Sequence, residues 1–142
     1  MVEIISRSEA ETKAIAKNLA GKLPAGSVLA LIGPLGGGKT AFVKGLAQGL
    51  GLKNKIASPT FVIYQVYPVP GRKKQKFYHF DLYRLDHAKQ LGELGLAEIL
   101  QNPKNILAIE WAEKINKLLP PRTIYIRFRR GKTPNARKII FS

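Results

Sequence analysis

The sequence predicts an α/β layer fold: a single domain over residues 1–142 with a mixed central sheet. Helix-period segments are interspersed among strand-like ones, the order that lays helices on the faces of a sheet. Two short apolar runs, SVLALI at 27–32 and ILAI at 106–109, have the character of central strands covered on both sides. Two more strand pairs face each other across short loops, and such hairpins add antiparallel strands to the sheet. A chain of 142 residues can bury one proper core but not two ordinary ones.

Taken in order, residues 2–5 form a short strand. Ser8 and Glu11 then make the S-x-x-E pattern of a helix start. Ile15, Ala16, Leu19 and Leu23 follow on one helical face, and Pro24-Ala25-Gly26 ends that helix. After the strand at 27–32, residues 39–50 read as a second helix with Val43, Leu46 and Leu50 inward and Gly51 as its end. Residues 61–67 and 77–82 flank the loop PVPGRKKQK as a hairpin. A helix is expected over 87–100, weakened by Gly92 and Gly95. A strand at 106–109, a short helix near 112–118, and strands at 123–129 and 137–141 complete the chain.

The totals exclude several classes. There is no cysteine, so disulfides, thiolate metal sites and a Cys nucleophile are absent, and a cytoplasmic setting is expected. No apolar run approaches the roughly 20 residues of a membrane span, and the N-terminus lacks the pattern of a secretory signal. Twenty-four Lys and Arg against nine Asp and Glu give +15, with no acid between Thr12 and Phe80 or after Glu113. Such a field favours polyanions: nucleic acid, nucleotides or an acidic protein face.

GPLGGGKT at 33–40 matches the phosphate-loop pattern through Gly33, Gly38, Lys39 and Thr40, with a buried strand before it and a helix after it. Glycines let successive backbone N–H groups turn around an anion, and the helix start adds its own unpaired N–H groups. Lys39 would reach the outer phosphates and the Thr40 hydroxyl would ligate Mg²⁺. The fold expectation sharpens accordingly to a three-layer, P-loop NTPase-like domain.

Such a site needs an acid at the end of a neighbouring strand, and ILAIE supplies Glu110. Asp81, in HFDLYR, either meets the magnesium shell and attacking water or pairs with Arg84 or His79. Arg84 either steadies phosphate charge or is solvated. His79 and His87 have no partner at metal-ligand spacing and read as structural or exposed. Ser58 and Thr60 stand either where nucleotide switches place a γ-phosphate sensor or in a plain turn. The Asn-Lys-x-Asp stretch of guanine readers is missing, since NKIA at 54–57 and NKLL at 116–119 lack the aspartate. ATP is therefore favoured over GTP. No segment is long enough for an arginine-bearing lid apart from the basic hairpin loop, which keeps a small-molecule kinase as a minor alternative.

The succession GPLGGGKTAFVKGLAQGLG, SPTFVIYQVY, FYHFDLYRL, LGELGLAEIL and ILAIEWAEKI followed by LP resembles the TsaE (YjeE) family over residues 8–141. That resemblance implies an ATP-binding and ATP-hydrolysing subunit of the tRNA threonylcarbamoyladenosine (t6A) machinery. Family members are similar in being weak ATPases that act with TsaB and TsaD, where ATP resets the complex and TsaD performs the transfer. It implies that Gly33, Leu35, Gly36, Gly37, Gly38, Lys39, Thr40 and Ala41 bind ATP, that Thr40 and Glu110 hold Mg²⁺, and that Lys39, Asp81 and Glu110 serve catalysis. Ser58 and Thr60 match its switch-like segment, and Trp111 its tryptophan after the acid. Glu9 and the hairpin near Lys132 would lie close to the base. The basic surface would face tRNA, the acidic side of the partners, or both. Two positions depart from the family pattern: Pro34 replaces a usual Asp, and Gln90 stands where an acid is common. Pro34 removes one N–H and one negative charge, which gives weight to a second reading, a nucleotide-gated binding module with negligible hydrolysis.

Overall fold

The structure is a computed structural model that describes residues 1–53, 56, 63–87 and 89–142. Its elements are β1 (Val2–Ser6), α1 (Glu9–Ala20), β2 (Val28–Ile32), α2 (Lys39–Gly49), β3 (Tyr64–Pro68), β4 (Lys76–Asp81), α3 (Lys89–Glu93), α4 (Leu96–Gln101), β5 (Ile106–Glu110), a 3-10 helix (Ala112–Leu118), β6 (Ile124–Arg130) and β7 (Arg137–Phe141). One seven-stranded sheet runs β1-β7-β6-β2-β5-β4-β3. Strand β2 lies between β5 and β6, parallel to both, and β4 is parallel to β5. The pairs β3–β4, β6–β7 and β1–β7 are antiparallel, so the sheet is mixed as the two hairpins require.

Alternation along the central strands divides the core into two layers. Leu29, Leu31, Ala108, Ile126 and Phe128 pack with Ala16, Phe42, Val43 and Leu46 of α1 and α2. Val28, Ala30, Leu107 and Ile109 face the other way, onto Leu91, Leu96, Ala112 and Ile115. Both faces of β2 are thus covered, and its run VLALI needs no polar position.

Local chemistry sets the element ends. Ser8 caps α1 by accepting from Glu11 N at 3.1 Å. The Glu11 carboxylate accepts from Arg7 N at 2.7 Å, one residue ahead of the cap that the sequence pattern suggests. The helix expected over 87–100 is divided into α3 and α4. Gly95, at φ +80, leaves the right-handed region and starts the second helix. Of the expected strand at 61–67, the described part begins at β3. No helix among the described residues is long and apolar enough to cross a membrane.

Helix α2 approaches α1 through two glycines one turn apart. A Cβ on Gly45 would lie 2.3 Å from Lys13 O and 2.8 Å from Ala16 Cβ, and one on Gly49 2.5 Å from Lys17 O. At the other side Phe42 meets Phe128 edge to face at 5.4 Å, tying α2 to β6. These contacts hold the start of α2 at the end of β2. Alanine is the better helix former by about 1 kcal/mol, yet Gly45→Ala should lower stability by about 1–3 kcal/mol through overpacking. Urea unfolding checks this, and a stabilised variant would show that the two helices are not in tight contact.

Candidate functional site

The loop between β2 and α2 is shaped by what its glycines avoid. A Cβ on Gly33 would sit 2.7 Å from Phe128 O on the neighbouring strand, and Gly38 has φ +103. Gly38 is the N-cap of α2, and no side chain caps that helix or places an acid in its first turn. Helix geometry leaves the amides of Gly38, Lys39, Thr40 and Ala41 without intrahelical acceptors. Helix α1, in contrast, has its Ser8 cap and two acids in the first turn. The start of α2 is thus an uncapped, electropositive end fitted to an anion.

Four successive loop carbonyls, from Gly33 to Gly36, meet cationic donors. Lys39 Nζ donates to Gly33 O and, at 3.1 Å, to Pro34 O. Arg130 donates to Leu35 O at 3.1 Å and Arg137 to Gly36 O at 2.8 Å. In a trans peptide the carbonyl and the next N–H point oppositely. Binding the Leu35 carbonyl to Arg130 therefore turns the Gly36 amide the other way. Lys39 Nζ also lies 3.8 Å from the centre of the Trp111 ring. Lys39 is only 4% exposed. Burial lowers its pKa, and the nearby Glu110, Glu113 and Asp81 carboxylates oppose that shift.

Two parallel strands deliver the acids. Asp81 on β4 and Glu110 on β5 are register partners. Glu110 Oε1 accepts from Thr40 Oγ1 at 3.0 Å, and Glu110 Oε2 lies 2.6 Å from His79 Nε2. Glu110 and His79 are 3% and 0% exposed. Asp81 Oδ1 accepts from Tyr83 N at 3.1 Å. Burial raises the pKa of Asp81, the Tyr83 bond opposes this, and Glu110 adds to the rise. Trp111 follows Glu110 at φ +60, a strained value for a tryptophan, with its N–H on Leu31 O at 3.1 Å and its ring 5.1 Å from that of Tyr83.

A cleft of about 820 Å³ opens above the loop. Leu35, Gly36, Gly37, Gly38, Lys39, Thr40, Ala41, Asp81, Glu110 and Glu9 all line it. Gly33 contributes from beneath through its carbonyl. Lys132 is exposed and outside the lining; Asn135 and Arg137 of the same hairpin enter it. Arg84 and Gln90 also line the cleft. The Gln90 amide oxygen accepts from Asp86 N at 3.2 Å and His87 N at 3.3 Å, closing the turn before α3. Ser58 and Thr60 lie outside the described residues.

Three functional residues escape sequence reasoning: His79, which is buried and bonded to Glu110, and the two arginines on the loop carbonyls. No group of three or more His, Asp or Glu among the described residues could hold a metal by itself. One threonine and one carboxylate side by side instead fit an ion that keeps waters and takes further oxygens from phosphates, as magnesium does.

Comparison with known proteins follows the same lines. The family profile described as "Threonylcarbamoyl adenosine biosynthesis protein TsaE" matches residues 6–139. The chain is 38% identical over 125 residues to the tRNA threonylcarbamoyladenosine biosynthesis protein TsaE of Treponema pallidum, covering 88% of this chain and 89% of that one. It is 40% identical over 121 residues to the protein of that name from Bacillus subtilis, covering 85% and 73%. The crystal structure of Bacillus subtilis YdiB superposes with a TM-score of 0.80 at 35% identity, over 99% of this chain and 83% of that one.

The raised pKa of Asp81 has a consequence for stability. Between the unfolded and folded pKa values the native state holds the extra proton, so this group's contribution falls as pH rises. Asp81→Asn keeps an acceptor for Tyr83 N and removes the buried charge. It should be more stable than the wild type at pH 7, with the gap closing below the ordinary aspartate pKa of about 3.9. Urea unfolding at several pH values tests this, and a variant less stable at pH 7 would contradict it.

Proposed function

The chain belongs to the TsaE family, and from that premise we propose that it is the ATP-binding and ATP-hydrolysing subunit of t6A biosynthesis, working with TsaB and TsaD. The observation that carries this reading is the uncapped start of α2 beside the Thr40–Glu110 pair. The amides of Gly36 and of residues 38–41, together with Lys39, would supply donors for a triphosphate. The charge-neutralising chemistry that phosphate oxygens need would come from a bound Mg²⁺. Thr40 and Glu110 would hold it.

Lys39 is bonded to the carbonyls of its own loop and stacked on Trp111. Its lowered pKa reflects burial that outer phosphates would offset, so the ammonium gains more from a triphosphate than from its present acceptors. Asp81 lies one strand from Glu110 at the same level and would orient water. Docking of TsaB and TsaD would complete the site, in the cytoplasm where ATP and tRNA are found. The basic surface suits tRNA or an acidic face of those partners.

A nucleotide-gated module with negligible hydrolysis is the second reading, favoured by Pro34. Its ring leaves the loop one N–H short, and its carbonyl is held by Gly37 N at 3.0 Å as well as by Lys39.

Phosphate release, followed as TsaB, TsaD and tRNA are omitted in turn, separates the two. The ATPase reading expects a slow rate alone and a clear rise with both proteins. A rate that stays at background in the full assembly favours the gated module. Lys39→Ala should weaken ATP binding about ten- to hundredfold, measured by calorimetry. Glu110→Ala should spare ATP binding without magnesium and lose magnesium-dependent hydrolysis; unchanged hydrolysis in the folded variant removes that acid from the mechanism.

A further inference from the structure

We infer that His79 is a positioning residue for the magnesium-side carboxylate: it fixes one oxygen of Glu110 so that the other is presented to the cation beside Thr40. The inference rests on the reading of Glu110 given above and adds a residue to it.

The geometry is a buried chain of three side chains. Thr40 Oγ1 donates to Glu110 Oε1 at 3.0 Å, and His79 Nε2 lies 2.6 Å from Glu110 Oε2. An ionised carboxylate only accepts, so Nε2 is the nitrogen that carries the proton in this pair. The imidazole is 0% exposed, and its Nδ1 is buried with no hydrogen-bond partner among the described residues. The ring therefore forgoes a bond at one nitrogen to keep the other on Glu110. A pair of apolar side chains would fill the same space without burying charge, so packing alone does not explain the choice of residues.

Sheet register explains how the two meet. His79 lies opposite Ala108, and Asp81 opposite Glu110. The four positions on β4 and β5 point to the same face, and the alanine is too short to separate glutamate from histidine. A free glutamate has several rotors and could swing either oxygen toward Thr40. With Oε2 held, only Oε1 can face the threonine. Oε1 and the threonine hydroxyl thus lie side by side, where they would hold the cation, while Oε2 is kept on the ring. Orientation of a ligating carboxylate by a hydrogen-bonded neighbour commonly accounts for a large share of metal affinity.

The test uses Trp111, the chain's single tryptophan, which adjoins Glu110. Its emission is followed while ATP is added with EDTA, and again while Mg²⁺ is titrated at fixed ATP, for the wild type, His79→Leu and His79→Gln. Leucine removes the donor, and glutamine returns an N–H at the reach of Nε2. The inference expects His79→Leu to raise the half-saturating Mg²⁺ concentration about tenfold or more, to leave ATP binding in EDTA unchanged, and to be largely rescued in His79→Gln. If the leucine variant does not unfold cooperatively, His79→Asn, whose amide is too short, takes its place with the same expectation. Three results overturn the inference alone: Mg²⁺ half-saturation at the wild-type value without the donor, equal losses in the donor-free and Gln variants, or a parallel loss of binding in EDTA. A wild type that binds no ATP in either medium overturns the nucleotide reading and this inference with it.

Discussion

Four consecutive carbonyls, of Gly33, Pro34, Leu35 and Gly36, point at cationic side chains, and that constraint governs the site. Arg130 on the Leu35 carbonyl turns the Gly36 amide the opposite way, and Arg137 and Lys39 fix the carbonyls on either side of it. The cations come from three elements: Lys39 from α2, Arg130 from β6 and Arg137 from β7. The loop is therefore braced by the sheet rather than shaped by glycine alone. The β6–β7 hairpin is a structural support of the cradle as well as part of its wall.

The same economy appears in the acids. The chain has nine carboxylates against twenty-four Lys and Arg, yet Asp81 and Glu110 lie on adjacent strands at one level. Burial raises the pKa of Asp81, and the like charge of Glu110 adds to the rise. Glu110 is steadied by two donors and Asp81 by one backbone amide. A site arranged for stability alone would not set a buried carboxylate beside a half-buried one. An arrangement awaiting a divalent cation and a polyphosphate would, because those charges reverse the local balance.

Much of this was legible in the residue order, and the boundary of legibility is physical. The cradle was readable because its parts are contiguous: buried strand, GPLGGGKT, helix. The hairpins β3–β4 and β6–β7 were readable for the same reason. What could not be read depends on distant contacts. Glu110 meets His79 across 31 positions. Strand β6 lies beside β2 only because of the sheet order, and that order brings Arg130 and Arg137 to the loop. A basic run such as RFRRGK reads as a solvated or polyanion-facing surface until the fold shows which members turn inward. The divided helix at α3 and α4 was signalled by its glycines, but only the backbone shows that Gly95 makes the break.

The account depends on one cation changing partners. A crystal structure of the chain with ATP and Mg²⁺ tests that most directly. The account predicts Lys39 Nζ on the outer phosphates, away from Gly33 O, Pro34 O and the Trp111 ring, with Arg130 and Arg137 still holding the Leu35 and Gly36 carbonyls. A complex in which Lys39 keeps its carbonyls and its ring while the nucleotide lies outside the loop would contradict it.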